Sequence, residues 1–424
     1  MEKYIYDSYL EILKEELVPA MGCTEPVAVA YAGALARKTL GSLPKKAELS
    51  VSGNIIKNVK SVIVPETGGR RGLKTALCTG ILFGDAEKKL EVIAFIKEDI
   101  AEELDKYMMN TDITVSRSSS SSAFDICVTV YDGDESACVH IEDGHTNVTS
   151  VKKNDKVLFE RGGSEKTAEK KTDRTLLSIE KITEFAETVD LSDIRDMLSR
   201  QIEYNMAIAQ EGIGGGYGAE IGKIILSSYG SSINNRAKAY AAAGSDARMN
   251  GCEMPVVINS GSGNQGITAS VPVIVYAKEL GVSEEKLLRA LTVSNLVTIH
   301  LKTGIGCLSA YCGATSAGAG AGAGICYLFG GRFDEIAHTV VNALAINSGM
   351  ICDGAKASCA AKIASAVEAG LLGFQMYKHK SEFLGGDGII VKGVENTIKA
   401  VSHVASEGMK RTDEEIIKLM VEND

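Results

Sequence analysis

The chain is short of positive charge. In 424 residues, 45 Lys and Arg stand against 55 Asp and Glu, a formal net charge of −10. No basic stripe is available to neutralise phosphates, which argues against nucleic acid or an anionic membrane surface as a partner. The opening run, MEKYIYDSYLEILKEEL, is acidic and amphipathic and reads as neither a signal nor a transit peptide. The ten cysteines contain no CxxC pair, so zinc-ribbon and thioredoxin-like readings lack support. Without an export signal these thiols fit a reducing, cytoplasmic setting, where buried, metal-binding or catalytic roles outweigh disulfides. Histidine is scarce, at six, and no repeat of fixed period is visible.

Charge is absent altogether from Thr303 to Gly331, TGIGCLSAYCGATSAGAGAGAGICYLFGG. Nine of these residues are glycine, so transfer to lipid would be weak. A deeply buried helix, with small residues admitting neighbouring backbones, is expected rather than a membrane span.

The pattern predicts an α+β fold: a predominantly helical domain built from 1–44 and 176–424, with a smaller α/β domain inserted at 45–160. Two helices are expected in 1–44, the first stopped by Pro19 and the second starting at Thr24 with Pro26 in its first turn. Short β-rich runs follow, including AELSVSGNI, KSVIVPET, KLEVIAFIKE and a hairpin around Asp-Gly-Asp in DICVTVYDGDESACVHI. Residues 161–175, charged and poor in apolar side chains, read as a linker. The remainder alternates through Ala-rich helical patterns whose apolar faces make a homodimer plausible.

The run NSGSGNQGITASVP (259–272) satisfies G-x-G-x-x-G through Gly261, Gly263 and Gly266. A dinucleotide site needs a helix running straight out of that loop, whereas Pro272 places the helix start at about 272. The loop also resembles the substrate- or cofactor-holding turns of some pyridoxal-phosphate enzymes. Its backbone N–H groups, with Ser260, Ser262, Asn264 and Gln265, suit a small carboxylate; a plain structural turn is the alternative.

Three cysteines precede expected helix starts: Cys23 before TEP, Cys312 before GATSAGAG, and Cys352 before an Asp353 expected to cap the next helix. The helix dipole and free N–H groups there favour thiolate, the form that ligates metal. The others read as packing residues, Cys78 and Cys359 on helical faces and Cys127 and Cys138 in strands. A cubane iron–sulfur cluster usually takes four thiolates; three would leave one iron open to act as a Lewis acid.

GCTEP, SDARMNG, NSGSGNQGIT, LSAYCGA and SGMICDGAKASCA, in this order, resemble the L-cysteine desulfidase family. MICD and the glycine loop also resemble the α chain of iron–sulfur L-serine dehydratases. The resemblance implies a 4Fe–4S cluster on Cys23, Cys312 and Cys352, with Cys359 left out about two turns into its helix and Cys307 as a spare. It further implies β-elimination: a small amino acid binds, a base takes the α-proton, and sulfide or hydroxide leaves with the open iron's help. The aminoacrylate then hydrolyses to pyruvate and ammonia. L-cysteine is the expected substrate, with L-serine as the alternative.

His145, in EDGHTNV, is the candidate base, against the reading of a turn histidine. His300 reads as core, while Lys302 is close to Cys312 in sequence; Lys356 is placed to balance cluster charge. Arg248 either pairs bidentately with the substrate carboxylate or forms an ion pair with Asp246. The serine run in RSSSSSAF (117–124) reads mostly as loop. Two other classes stay open: a pyridoxal-phosphate lyase, which needs a Schiff-base lysine, and a non-enzymatic amino-acid-binding protein in which the cysteines are dispensable.

Overall fold

The computed structural model describes all residues except 97–98, 121, 162–171, 307 and 423–424. Helix α1 (Lys3–Glu16) buries Ile5, Tyr9, Ile12 and Leu13 on one stripe, and Pro19 opens the short strand β1 (Pro19–Met21). Helix α2 (Thr24–Leu40) carries Pro26 in its first turn, where the missing N–H is harmless, and stops at Gly41 with φ 89°. Then come β2 (Lys46–Val51), α3 (Gly53–Val59), α4 (Leu73–Phe83) and α5 (Ala101–Asn110). Five strands follow: β3 (Asp112–Arg117), β4 (Asp125–Asp132), β5 (Glu135–Glu142), β6 (Val148–Lys153) and β7 (Lys156–Glu160). They form one sheet with β2, ordered β3-β2-β4-β5-β6-β7, in which β2 and β3 are parallel and every other pair antiparallel. The β4–β5 hairpin turns at Gly133, with φ 59°, as the Asp-Gly-Asp pattern predicts.

Two expected strands are not formed. KSVIVPET supplies one isolated bridge, Ile63 with Arg71, and KLEVIAFIKE begins in a 3₁₀ turn, Ala86–Glu91. Val62, Val64, Val92 and Ile93 are buried, so the apolar signal was real. Local closures, Val64 N–H to Arg70 O and Asp85 N–H to Val92 O, take the place of a sheet neighbour.

Most of the expected 161–175 linker lies outside the described residues. Beyond it the chain is helical: α6 (Ile179–Thr188), α7 (Leu191–Gly214), α8 (Ile221–Tyr229) and α9 (Ile233–Met249). Strand β8 (Pro255–Val257) pairs antiparallel with β1 and leads into α10 (Gly263–Leu280). The chain continues through α11 (Glu284–Thr303), α12 (Gly313–Leu328), α13 (Phe333–Asn347), α14 (Cys359–Lys378), α15 (Val394–His403) and α16 (Lys410–Glu422). The fold is α+β and mostly helical.

The charge-free stretch becomes α12, buried from Ala314 to Leu328 and enclosed by α10, α11, α13 and α14. A Cβ at Gly318 would lie 2.2 Å from Ala366 O on α14, and one at Gly320 2.2 Å from Thr298 Oγ1 on α11. No described helix is long and apolar enough to cross a membrane.

Two large apolar clusters result. One joins α1, β1 and β8 to the helices of the C-terminal half; the other joins α2–α5 to the sheet. Helix α2, which the sequence grouped with the helical part, buries Val27, Val29 and Ala34 in the second cluster, against β4 and β5.

Candidate active site

One cavity is lined by residues on elements of both apolar clusters. Its floor is the glycine loop. Asn259 and Ser262 bond each other's backbone both ways at 3.1 Å, and Ser260 (φ 50°) and Gly261 (φ 76°) make the reversal between them. Asn259 is fixed from below, its Nδ2 donating to Asn295 Oδ1 at 2.9 Å.

Helix α10 starts directly at Gly263, not at Pro272 as the sequence suggested; Pro272 lies inside it and is buried. The helix runs through the proline with the loss of one backbone bond, and packing on all sides offsets that loss. The first turn of the helix therefore stands at the cavity wall, where Asn264 and Gln265 line it. The dinucleotide reading still fails, because β8 is three residues long and pairs antiparallel with β1, outside any βαβ unit.

Each glycine here has a neighbour in the place of a side chain. A Cβ on Gly263 would lie 2.3 Å from Arg248 Nε, one on Gly261 3.2 Å from His145 Cε1, and one on Gly266 2.0 Å from Val257 O. Arg248, in the last turn of α9, is 3% exposed. Its Nη1 donates to Asn264 Oδ1 at 3.2 Å, while its Nε has no hydrogen-bond partner. The Asp246 ion pair is not formed: Asp246 Oδ2 accepts from Ile221 N–H at 2.7 Å and caps α8. His145 reaches the cavity from the β5–β6 turn, edge-on to Phe124 with centroids 4.7 Å apart.

Cys23 and Cys312 occupy the N-cap positions of α2 and α12. Cys352 does not precede a helix directly. Asp353, expected to be a cap, instead receives the ammonium groups of Lys356, at 2.5 Å, and Lys362, and α14 begins only at Cys359. What places Cys352 is a bridge to the segment before α12: its N–H donates to Ala310 O at 2.6 Å, and Cys312 N–H donates to Met350 O at 3.1 Å. Cys359, expected two turns into its helix, is the first residue of α14 and lines the same cavity. Cys307 lies outside the described residues.

The thiols do not share one electrostatic state. Burial pushes Cys23 well up, and the Glu25 carboxylate adds to this, so the helix-start effect does not win there. Cys312 and Cys352 share a hydrogen bond that holds Cys352 low and Cys312 high; the Lys57 and Lys302 charges also favour thiolate at Cys352. Burial raises Cys359. Among the described residues no three Cys, His, Asp or Glu converge on a point, as ligands of a single ion would. The four thiols line one cavity instead, with Cys312 and Cys352 in hydrogen-bond contact, and the ligands of a cubane bind separate irons.

Thus Cys23, Cys312, Cys352, His145, Arg248, Ser260, Gly261, Ser262, Asn264 and Gln265 all line one cavity, with Gly263 and Gly266 beneath it. Lys302 lines it too. His300 pairs with Glu395 at 2.7 Å and lies outside the lining, as does Lys356. The serine run closes on itself, Ser118 Oγ accepting from Ser120 N–H and Ser122 Oγ from Phe124 N–H; Ser121 lies outside the described residues. Sequence reasoning missed several lining residues, three of them charged or amide side chains. Glu25 stood within the quoted GCTEP, Lys362 follows Cys359 by three residues on one helix face, and Asn58 on α3 carried no signal.

Soft sulfur donors, a buried guanidinium, an imidazole and a glycine loop before a helix N-terminus meet in this one cavity. Residues 87–418 match the model of the serine dehydratase alpha chain, and the protein belongs to that family. Along its length it is similar to UPF0597 proteins. It is 55% identical to one from Desulfitobacterium hafniense over 98% of this chain and 97% of that one. The identity is 47% with a relative from Lachnoclostridium phytofermentans, over 98% and 100% of the two chains. With one from Treponema denticola it is 44%, covering both chains fully.

Proposed function

We propose that this protein is an iron–sulfur lyase that eliminates the β-substituent of a small L-amino acid. L-cysteine, giving pyruvate, ammonia and sulfide, is the substrate we favour; L-serine is the second candidate, in keeping with the family's name. The observation that carries this reading is the meeting of Cys23, Cys312 and Cys352 with a buried, incompletely bonded Arg248 in one cavity. These residues suit a 4Fe–4S cluster by their chemistry: thiols gathered on one cavity wall, with Arg248 Nε buried without a hydrogen-bond partner beside them. When bound, such a cluster would supply an open Lewis-acidic iron for the leaving group.

The chain's own residues account for the rest. Arg248, oriented by Asn264, takes the substrate carboxylate together with the first N–H groups of α10. His145 stands over Gly261 and accepts the α-proton as the Cβ–S bond breaks and sulfide leaves with the bonding pair. Aminoacrylate then tautomerises and takes up water to give pyruvate and ammonia. Lys302 and Lys362 offset the negative charge gathered on the sulfur side. The free cysteines suit a reducing cytoplasm, where such a cluster survives.

The test is iron and acid-labile sulfide per chain in protein purified without oxygen, followed by assays with L-cysteine and L-serine. About four of each, with turnover of either substrate, is expected. A folded anaerobic preparation that reconstitution cannot load would overturn the reading.

A further inference from the structure

The cavity has a marked charge asymmetry. Among its described lining residues Arg248, Lys302 and Lys362 are cationic, and Glu25 is the one carboxylate. An amino-acid zwitterion brings an ammonium as well as a carboxylate, and an ammonium taken out of water needs an anionic acceptor. Glu25 is the second residue of α2, so the turn after Cys23 fixes its backbone. Its Oε2 accepts from the Cys23 thiol at 3.2 Å and lies 3.1 Å from the Thr24 hydroxyl. That hydroxyl is also 3.1 Å from Gly261 O, which ties the carboxylate to the loop packed over Arg248.

Glu25 and Arg248 both line the cavity, yet they do not bond each other: Arg248 bonds Asn264, and Glu25 bonds Cys23 and Thr24. Two opposite charges that share a cavity without pairing match the two charges of a zwitterion.

We propose that Glu25 holds the substrate's α-ammonium and is the residue by which the site selects α-amino acids over hydroxy or deaminated acids of the same size. This rests on the β-elimination reading above. Glu25 is thus a specificity-determining contact opposite Arg248, and the two set the substrate's orientation.

The test compares L-alanine and L-lactate as competitive ligands. They are near-isosteric, lack a β leaving group, and differ by the ammonium. The anaerobically loaded wild type and Glu25→Gln are titrated calorimetrically with each, after iron content has been matched. Wild type is expected to prefer L-alanine by on the order of 10²-fold. In Glu25→Gln that preference collapses towards unity, and KM for the substrate rises by a similar factor while kcat changes far less. Should Glu25→Gln not fold or load, Thr24→Val, which removes the hydroxyl that orients the carboxylate, is expected to weaken the same preference several-fold. An unchanged alanine-to-lactate ratio in the loaded variant overturns the proposal, as does a loss of kcat with KM and the ratio intact. A wild type that turns over neither L-cysteine nor L-serine, yet shows the Glu25-dependent preference, would remove the elimination reading and leave this one standing.

Discussion

Replacing Gly263 by alanine places a methyl group 2.3 Å from Arg248 Nε, 2.7 Å from its Cζ and 2.8 Å from Val256 Cγ2. Ordinary contact needs about 1 Å more on the arginine side, where the packing has little slack. Gly263 is the first residue of α10 and Val256 belongs to β8, so the backbone cannot retreat without disturbing Asn264 and the loop. The guanidinium gives way instead, and its 3.2 Å bond to Asn264 is lost. Overpacking of this size destabilises by about 1–3 kcal/mol. A misplacement of about 1 Å in a group that positions substrate lowers kcat/KM by about 10²-fold. Initial rates on the anaerobically loaded variant, with a thermal melt to confirm folding, would read both effects. Gly214→Ala is the control, because a Cβ there meets nothing within 4 Å. A folded Gly263→Ala enzyme whose KM and kcat both lie within twofold of wild type would refute the placement of Arg248 at the substrate.

Further outcomes follow from the same geometry. Cys23→Ala removes a small buried thiol, so the fold should persist while iron retention falls sharply; a variant with full iron content would count against the ligand set. His145→Asn should lower kcat by about 10²–10⁴-fold with KM little changed, as steady-state kinetics would show. Lys57, 1% exposed, pairs with Asp413 of α16. Asp413→Ala would strand a buried ammonium and should destabilise by about 3–5 kcal/mol in denaturant melts, whereas Lys57→Met with Asp413→Leu should recover most of this. Burial and the neighbouring Glu253 carboxylate raise Glu66 from 4.5 to about 7. Its folded state favours the protonated form, so its contribution to stability is complete below about 4.5 and is lost as pH rises through 7. Glu66→Gln should flatten that part of the Tm–pH curve, and an unchanged curve would exclude the assignment.

The helices were legible because Ala-rich 3.6-residue patterns lead to one result: α9, α11, α13 and α14 fall where those patterns lie. Strands were less so. The β-branched runs at Val62 and Val92 are equally content buried in loops, and nothing local distinguishes a sheet neighbour from a packed turn. Pro272 misled because a proline inside a helix lacks one bond, which tertiary packing can offset, and packing is invisible along the chain. The cysteines were singled out on a helix-start argument that holds for the positions of Cys23 and Cys312 but not for Cys352, which a backbone bridge to Ala310 brings alongside Cys312. Asn58 reaches the cavity only through folding, from α3, and no spacing could have announced it, whereas Lys362 shares a helix face with Cys359 three residues before it.

The way α12 is seated bears on how this protein can fail. It meets α14 at Gly318 and Gly322 and α11 at Gly320 and Gly324, mostly against main chain or a short hydroxyl, with Val273 of α10 also against Gly324. Such a helix has almost no rotamers to freeze on folding and almost none to readjust afterwards. A single methyl at Gly322, about 15 Å along the axis from Cys312, would be accommodated by sliding the rod rather than bending a side chain. The sulfur at its end would then be carried out of place. Lesions on a buried stripe far from the cavity should therefore cost about 1–3 kcal/mol of stability, in proteins that still fold but no longer hold iron.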